Sequence, residues 1–457
     1  MARIVQFLKW MRRRDGGVVN TCMLLCPMLA QRGHEVVLLT CEDDDVPDER
    51  EAGELDDGLV ARPQAEAPRK KSGYRKLRIE SASQLPELEA ALAALREQVR
   101  TEGSAPPLCV RVPLADFVAT LRGRNALDSE RDTPTQSLPA LSMQAARVLL
   151  RGADVLHLHG IWAPSHAALA RLAHREGTRF VVSPHGMLDA WSMAQGGLKK
   201  RLFLRFVANW QLCNASCVHF ENEEELLQGR QYCEAPVVAG PPPPLDPRAF
   251  EPLPAPSIAR ERFAPLQEEG LKVLFLGRLN PKKGPDKLIE AAFAWKKARE
   301  LDPGTPKIVT MFAGLGHPPE YETQLRNQVS VLGLAAHVHF LGLVTGEAKW
   351  SLLRAVDLVV LPTSQENFGI ALVEAMLCGT PVLTTKQVDT WREFERGGGA
   401  LILDGGGTLV RDLTSKVLEL ARKPEALREH GSVGQAWARS TYAPDEMGAA
   451  YERVLLS

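Results

Sequence analysis

The sequence predicts an α/β protein made of two parallel-sheet domains, and three observations predict it. Short apolar runs such as 35–40 (EVVLLT) and 355–361 (AVDLVVL) lack the alternation of a half-exposed strand and read as strands buried on both faces. These runs alternate with stretches of helical periodicity, as in βαβ units. The chain has 457 residues, too many for one core, and the strand–helix series starts twice, before and after four prolines at 241–244.

In chain order, 3–7 is the first strand. A basic loop with Arg12, Arg13 and Arg14 leads to Gly16-Gly17. Residues 18–32 form a helix with Val19, Met23, Leu24, Met28 and Leu29 inward, closed by Gly33 before the strand 35–40. Two glycines at a first βα turn allow close approach of a phosphate or sugar. Residues 42–107 are polar and Pro-rich, and read as a partly disordered insertion with one helix at 85–100. A D-x-D lies within it (Asp43, Asp45), but nothing nearby supports a metal site, so it reads as a solvated loop. Strands at 154–159 and 178–183 end in histidines or lead to one, with His185 in a Pro-His-Gly turn and His157 a core residue. Lys199-Lys-Arg201 and Arg205 interleave with Leu202, Phe203, Phe206 and Trp210. That pattern reads as a core helix with a charged outer face, with an amphipathic membrane-surface helix as the alternative. The strand 216–220 is followed by the acidic run 221–225, read as a helix start. The prolines form a stiff linker.

The second series opens with the strand 272–276 and continues through Gly277-Arg-Leu-Asn-Pro-Lys-Lys-Gly284, a helix with Leu288, Ile289, Ala292 and Phe293 inward, and strands at 308–313 and 338–341. An arginine fork and a lysine point charge held between glycines suit a diphosphate. After the strand 355–361, a polar loop delivers a helix carrying Ile370, Leu372, Val373, Met376 and Leu377, which Gly379 and Pro381 close before the strand 382–385. Ligands of α/β sheets bind where such loops leave the carboxyl ends of strands. Free amides near Phe368 and Gly369, with the helix dipole, form an anion site. Glu366 and Glu374 flank it and suit neutral hydroxyls better than phosphate, and phosphates between hydroxyls describe a nucleotide-sugar. The alternative is a surface helix with solvated glutamates.

Glu366 and Glu374, with Asn367-Phe-Gly369 between them and Gly379-Thr-Pro381 after, resemble the E-x7-E motif of retaining glycosyltransferases of family four, which have the GT-B fold. Residues 277–284 resemble the family's Gly-Arg-Leu…Lys-Gly motif. The resemblance implies two Rossmann-like domains facing a cleft. It assigns Glu366 to the transferred sugar, Glu374 to the ribose, and Arg278 and Lys283 to the diphosphate. Asn367, Phe368 and Gly369 join the donor site, Gly16 and Gly17 face the donor from the first domain, and His185 borders the sugar. The base lies near Leu343-Val344. The linker lacks the family's usual Asn-Gly-Val-Asp-like turn. The expected domains are 1–245 (insertion about 42–107), a linker at 246–270, a nucleotide-sugar domain at 271–435, and a final segment, 436–457, that returns to the first domain.

The expected activity is transfer of a sugar from a nucleotide diphosphate sugar to a saccharide, lipid-linked or small-molecule acceptor, with no cofactor and no metal. The alternatives are a sugar-nucleotide epimerase and a non-catalytic binder. A dehydrogenase is disfavoured because neither Gly16-Gly17 nor the segment after 272–276 carries G-x-G-x-x-G. Lys plus Arg is 55 against 56 for Asp plus Glu, which gives nucleic acid no electrostatic footprint. No window holds the roughly 18 apolar residues of a membrane span, and the start is too short and charged for a signal peptide. The expected location is cytoplasmic, with peripheral membrane contact as a variant. The eight cysteines are scattered. A zinc site would need Cys213, Cys217, His219 and Cys233 to converge, and buried reduced thiols are the preferred reading.

Overall fold

The computed structural model describes residues 1–11, 17–43, 46, 73–116, 136–194, 197–245 and 250–457. Gly16, Arg12, Arg13, Arg14 and Asp45 lie outside the described residues. The chain divides into two compact units: Met1–Pro244 with Pro444–Ser457, and Leu245–Ala443.

The first unit holds an eight-stranded sheet. Its strands are β1 (Arg3–Phe7), β2 (Glu35–Thr40), β3 (Arg75–Arg78), β4 (Leu108–Arg111), β5 (Val155–His159), β6 (Arg179–Ser183), β7 (Cys217–Phe220) and β8 (Val237–Ala239). They lie in the order β8-β7-β6-β5-β1-β2-β4-β3 and every pairing is parallel. Every residue of β1 and β2 is buried, which is why 35–40 reads as an apolar run without alternation. Ile4 sits between Val36 and Val155. The order reverses between β1 and β5, so the carboxyl ends of those two strands flank the crevice of this unit.

The stretch 42–107 corrects the insertion reading where it is described. Residues 75–78 add a strand to the sheet, paired with 108–111 just beyond the stretch, while the helix expected at 85–100 is present as Leu85–Glu102 and buries Leu88, Leu92, Leu95 and Val99. Strand β3 is Arg-Lys-Leu-Arg at the sheet edge, half-exposed, so it carries no apolar run. The solvated-loop reading of the acidic run also fails at Asp43. That carboxylate is fully buried and accepts from Arg78 (3.1 and 3.3 Å) and Arg111 (3.0 Å), which lie on β3 and β4. The first helix, Gly17–Gln31, turns Cys22, Leu25 and Cys26 inward, while Met23, Leu24 and Met28 are half-exposed. Its thiols are free, and burial pushes that of Cys26 up to about 12.

The returning segment is the helix Pro444–Leu456, which buries Met447, Tyr451 and Leu455 in the first unit. The preceding helix, Pro424–Thr441, belongs to the second unit, so 436–457 is not one element. The Tyr451 hydroxyl donates to the Pro242 carbonyl (3.1 Å), and Glu452 accepts from Arg32 (2.8 and 2.9 Å) and contacts His34 (2.8 Å). The Arg32 hydrogen bond, with help from His34 and against partial burial, holds the Glu452 carboxyl down to about 2 from 4.5. Its folded value lies below the unfolded one. Its contribution is therefore complete above about pH 4.5 and is lost as pH falls towards 2. Hydrogen-exchange protection within 444–456 is expected to drop across that window in the wild type. In Glu452→Gln the same protection should be weaker at neutral pH and flat with acid.

The second unit holds β9 (Leu271–Leu276), β10 (Ile308–Ala313), β11 (Val338–Gly342), β12 (Leu358–Leu361), β13 (Val382–Thr385) and β14 (Ala400–Leu403). They lie in the order β11-β10-β9-β12-β13-β14, all parallel. Leu274 pairs with Met311 on one side and Val359 on the other. The reversal falls between β9 and β12. Within the stretch read as a linker, 250–270 is packed onto this unit. The helix Pro256–Arg262 buries Ala259, whose amide donates to Ser351 Oγ (2.8 Å), and Arg354 donates to the carbonyls of Leu253 and Pro254.

Candidate active site

The loops leaving β9 and β12 meet at the reversal point of the second sheet. Gly284 has φ 69°, and a Cβ there would lie 2.2 Å from the Pro362 carbonyl oxygen. A side chain is therefore excluded where the cationic turn 281–283 docks on the end of β12. The Lys282 carbonyl then accepts from Ser364 N (2.8 Å), Thr363 Oγ1 (2.9 Å) and Ser364 Oγ (3.0 Å). Lys282, expected to be the exposed neighbour, is half-buried. This docking brings the Lys283 ammonium into an ion pair with Glu366 Oε2. Burial alone would raise the Glu366 pKa. The Lys283 charge and hydrogen bond, with Lys282 and Arg278 behind them, reverse that and hold it below the ordinary carboxylate range. Arg278 is exposed and makes no hydrogen bond or ion pair among the described residues.

Glu366 is pinned by its main chain, with its N–H on Gln387 O and its carbonyl accepting from Asp389 N, both at 2.9 Å. The buried Phe368 ring stands edge-on to Tyr442, with centroids 5.9 Å apart, and its carbonyl accepts from Thr390 Oγ1 (2.8 Å). Gly369, at φ 78° and ψ 49°, is the N-cap of the helix Ile370–Leu377 and places no side-chain cap on it. The amides of Ile370 and Ala371, in the first turn, have no intrahelical partner. Glu374 is buried one turn further in and accepts from Lys349 Nζ at 2.7 Å. Each motif glutamate therefore carries its own lysine. Sequence reasoning missed Lys349, which sits in the helix Gly346–Ala355 with no motif around it.

Arg278, Lys283, Glu366, Asn367, Phe368, Gly369 and Glu374 all belong to the second unit. Gly17 and His185 belong to the first, where Gly17 opens the first helix.

His185 lies on the loop after β6 in the left-handed region, at φ 54°. Its Nδ1 faces Glu221 Oε1 at 2.7 Å and its Nε2 faces His159 Nδ1 at 2.9 Å. The side chain is only 3% exposed while the residue as a whole is partly exposed, so His185 presents main chain to solvent. His159 Nε2 lies 2.7 Å from the Gln6 side-chain amide, and burial holds His159 neutral. Glu221 Oε1 accepts from His185 Nδ1, and one proton is shared between His185 Nε2 and His159 Nδ1.

Glu225 closes the other side of this loop, accepting from Gly186 N (2.5 Å) and Glu221 N (2.8 Å). Burial, followed by the Glu221 charge, raises its pKa to about 7. The acidic run thus divides. Asn222 caps the helix Glu223–Gly229 as expected, whereas Glu221 and Glu225 turn inward to brace the His185 loop. His157 is buried, with Nε2 2.7 Å from Ser183 Oγ. His219 spends its ring nitrogens on Ser183 Oγ and the Pro241 carbonyl, each at 2.8 Å.

Comparison with known proteins follows the same division. Residues 16–238 match the glycosyl transferase 4-like domain and residues 258–432 match glycosyl transferases group 1. A D-inositol 3-phosphate glycosyltransferase of Salinispora tropica is 36% identical over 187 residues, 40% of this chain and 32% of that protein. One from Stackebrandtia nassauensis is 29% identical over 259 residues, 55% of this chain and 57% of that protein. The matched stretch thus spans from about a third to just over half of these relatives. Among solved structures, Anabaena Alr3699/HepE in complex with UDP superposes with a TM-score of 0.66 at 17% identity, covering 99% of both chains. WaaG, a glycosyltransferase involved in lipopolysaccharide biosynthesis, gives 0.60 at 17% identity, covering 97% of this chain and 98% of that one. These likenesses confirm the GT-B fold. With both units matched in turn along one chain, the protein belongs to the glycosyl transferases group 1, with a glycosyl transferase 4-like N-terminal domain.

Proposed function

We propose that the chain is a retaining glycosyltransferase that moves a hexose from a nucleoside diphosphate sugar to an acceptor hydroxyl. One observation carries the reading. At the reversal point of the second sheet, an exposed Arg278 and a lysine held by an ionised Glu366 stand beside a helix start with open amides. Negative charge builds on the leaving diphosphate as the glycosidic bond breaks. Arg278, Lys283 and the amides at Ile370–Ala371 offset it. A leaving phosphate oxygen takes the acceptor proton on the same face of the sugar, which gives retention without a side-chain base. Glu366 reads the sugar hydroxyls, and Glu374, steadied by Lys349, reads the ribose. The first unit takes the acceptor on the side of the His185 loop, with exposed main chain rather than the ring as the contact. The free state of all eight cysteines fits a reducing compartment such as the cytoplasm.

The test is titration of UDP-, GDP- and ADP-sugars by thermal shift, with EDTA present throughout. One donor class is expected to stabilise the wild type in EDTA, because protein cations supply the charge a divalent ion would bring. Arg278→Ala is expected to weaken that donor by about tenfold to a hundredfold, the loss of one charge-assisted contact. No stabilisation by any donor, or full affinity in Arg278→Ala, would refute the site assignment.

A further inference from the structure

We infer that the first unit docks on an anionic lipid surface through one face of the helical stretch 197–208. The segments Gly197–Phe203, Leu204–Ala208 (a wider π turn) and Asn209–Asn214 run on without a break. One side is anchored. Leu204, Ala208 and Leu212 are buried, and Phe203 packs on Trp162 with ring centroids 5.8 Å apart. The opposite side carries Leu198, Leu202 and Phe206, which are 74%, 48% and 70% exposed and spaced four apart. The core-helix expectation therefore fails at Leu202 and Phe206. Elsewhere among the described residues, exposed large apolar side chains stand singly along the sequence. A single such residue needs no explanation, but a stripe of three, roughly 12 Å long, does.

The charge around the stripe selects its partner. Lys199, Arg201 and Arg205 are exposed beside it, and Arg205 lies over the Phe206 ring at 5.8 Å. Lys200 instead turns inward, 2.5 Å from the Ser192 carbonyl and 5.2 Å from the Trp162 ring. No Asp or Glu occurs from 190 to 220, although the chain as a whole has a net charge of -1. A second copy meeting this face would set cations against cations. A bilayer interface accepts apolar side chains between the headgroups and pairs flanking cations with anionic lipids. Trp162 follows β5, whose last residue, His159, touches His185, so the surface borders the rim of the first sheet.

The test is flotation of the full chain with phosphatidylcholine vesicles, with or without about one-third phosphatidylglycerol. Binding to the anionic vesicles is expected, with binding to neutral ones weaker on the order of a hundredfold for three cations. High salt should shrink that preference. L198S/L202S/F206S is expected to lower partition at least tenfold, and K199Q/R201Q/R205Q to remove the lipid preference. Both variants should keep the wild-type melting temperature, since every changed side chain is exposed. Absence of binding to anionic vesicles, or equal binding by wild type and both variants, would overturn the inference. So would light scattering showing that the apolar variant abolishes a dimer, which would assign the stripe to a second copy.

Discussion

Glu366→Ala is expected to lower kcat by about 10²–10³-fold while leaving nucleoside diphosphate affinity equal to wild type or tighter. The two effects separate because Glu366 does two things. In the free protein it neutralises Lys283, so removing it leaves a bare cation at the proposed diphosphate site. On the proposed reading it holds the sugar in the reacting complex, so its loss falls on the transition state. Glu366→Gln should lie between the two, since it keeps a hydrogen-bonding side chain and loses the charge. Steady-state rates alongside calorimetric titration of the diphosphate would check this. Unchanged kcat in Glu366→Ala would remove the residue from the mechanism.

Glu221→Ala is expected to destabilise the first unit by about 2 kcal/mol, the cost of leaving a buried donor without its acceptor, and to depress activity with it. The alanine would leave His185 Nδ1 without its acceptor, while His185 would still have to hold φ 54°. Glu221→Gln offers an acceptor oxygen at the same reach and should recover most of the loss. Urea unfolding followed with a probe in the first unit would report the stability, and donor consumption the activity. If Glu221→Ala unfolded like the wild type, the bracing role of the acidic run would be wrong. If Gln and Ala behaved alike, the hydrogen bond to His185 would not be what matters.

Much of the molecule was legible along the chain because its signals are local. Central strands such as β2 and β12 are buried on both faces and therefore read as apolar runs without alternation. The loops of the proposed donor site could be read for the same reason. Gly277–Gly284 and Glu366–Glu374 are each short, contiguous and rich in residues whose backbone freedom or charge has few other uses. The edge strand β3 was not legible, because a half-exposed Arg-Lys-Leu-Arg has no apolar signature and becomes a strand only when β4 lies beside it.

The sequence by itself determined the fold class, the restart after the prolines, and which loops carry cations and which carry carboxylates. Only the tertiary structure decided the partners. It paired Lys283 with Glu366 and Lys349 with Glu374, buried Asp43 between two arginines, and turned the His185 ring inward onto Glu221 and His159. It also decided which side of 197–208 faces water. The physical reason is range. Periodicity and turn chemistry act over a few residues and are written in order along the chain. An ion pair or a burial depends on groups 25 to 83 positions apart that meet only once the sheets have formed.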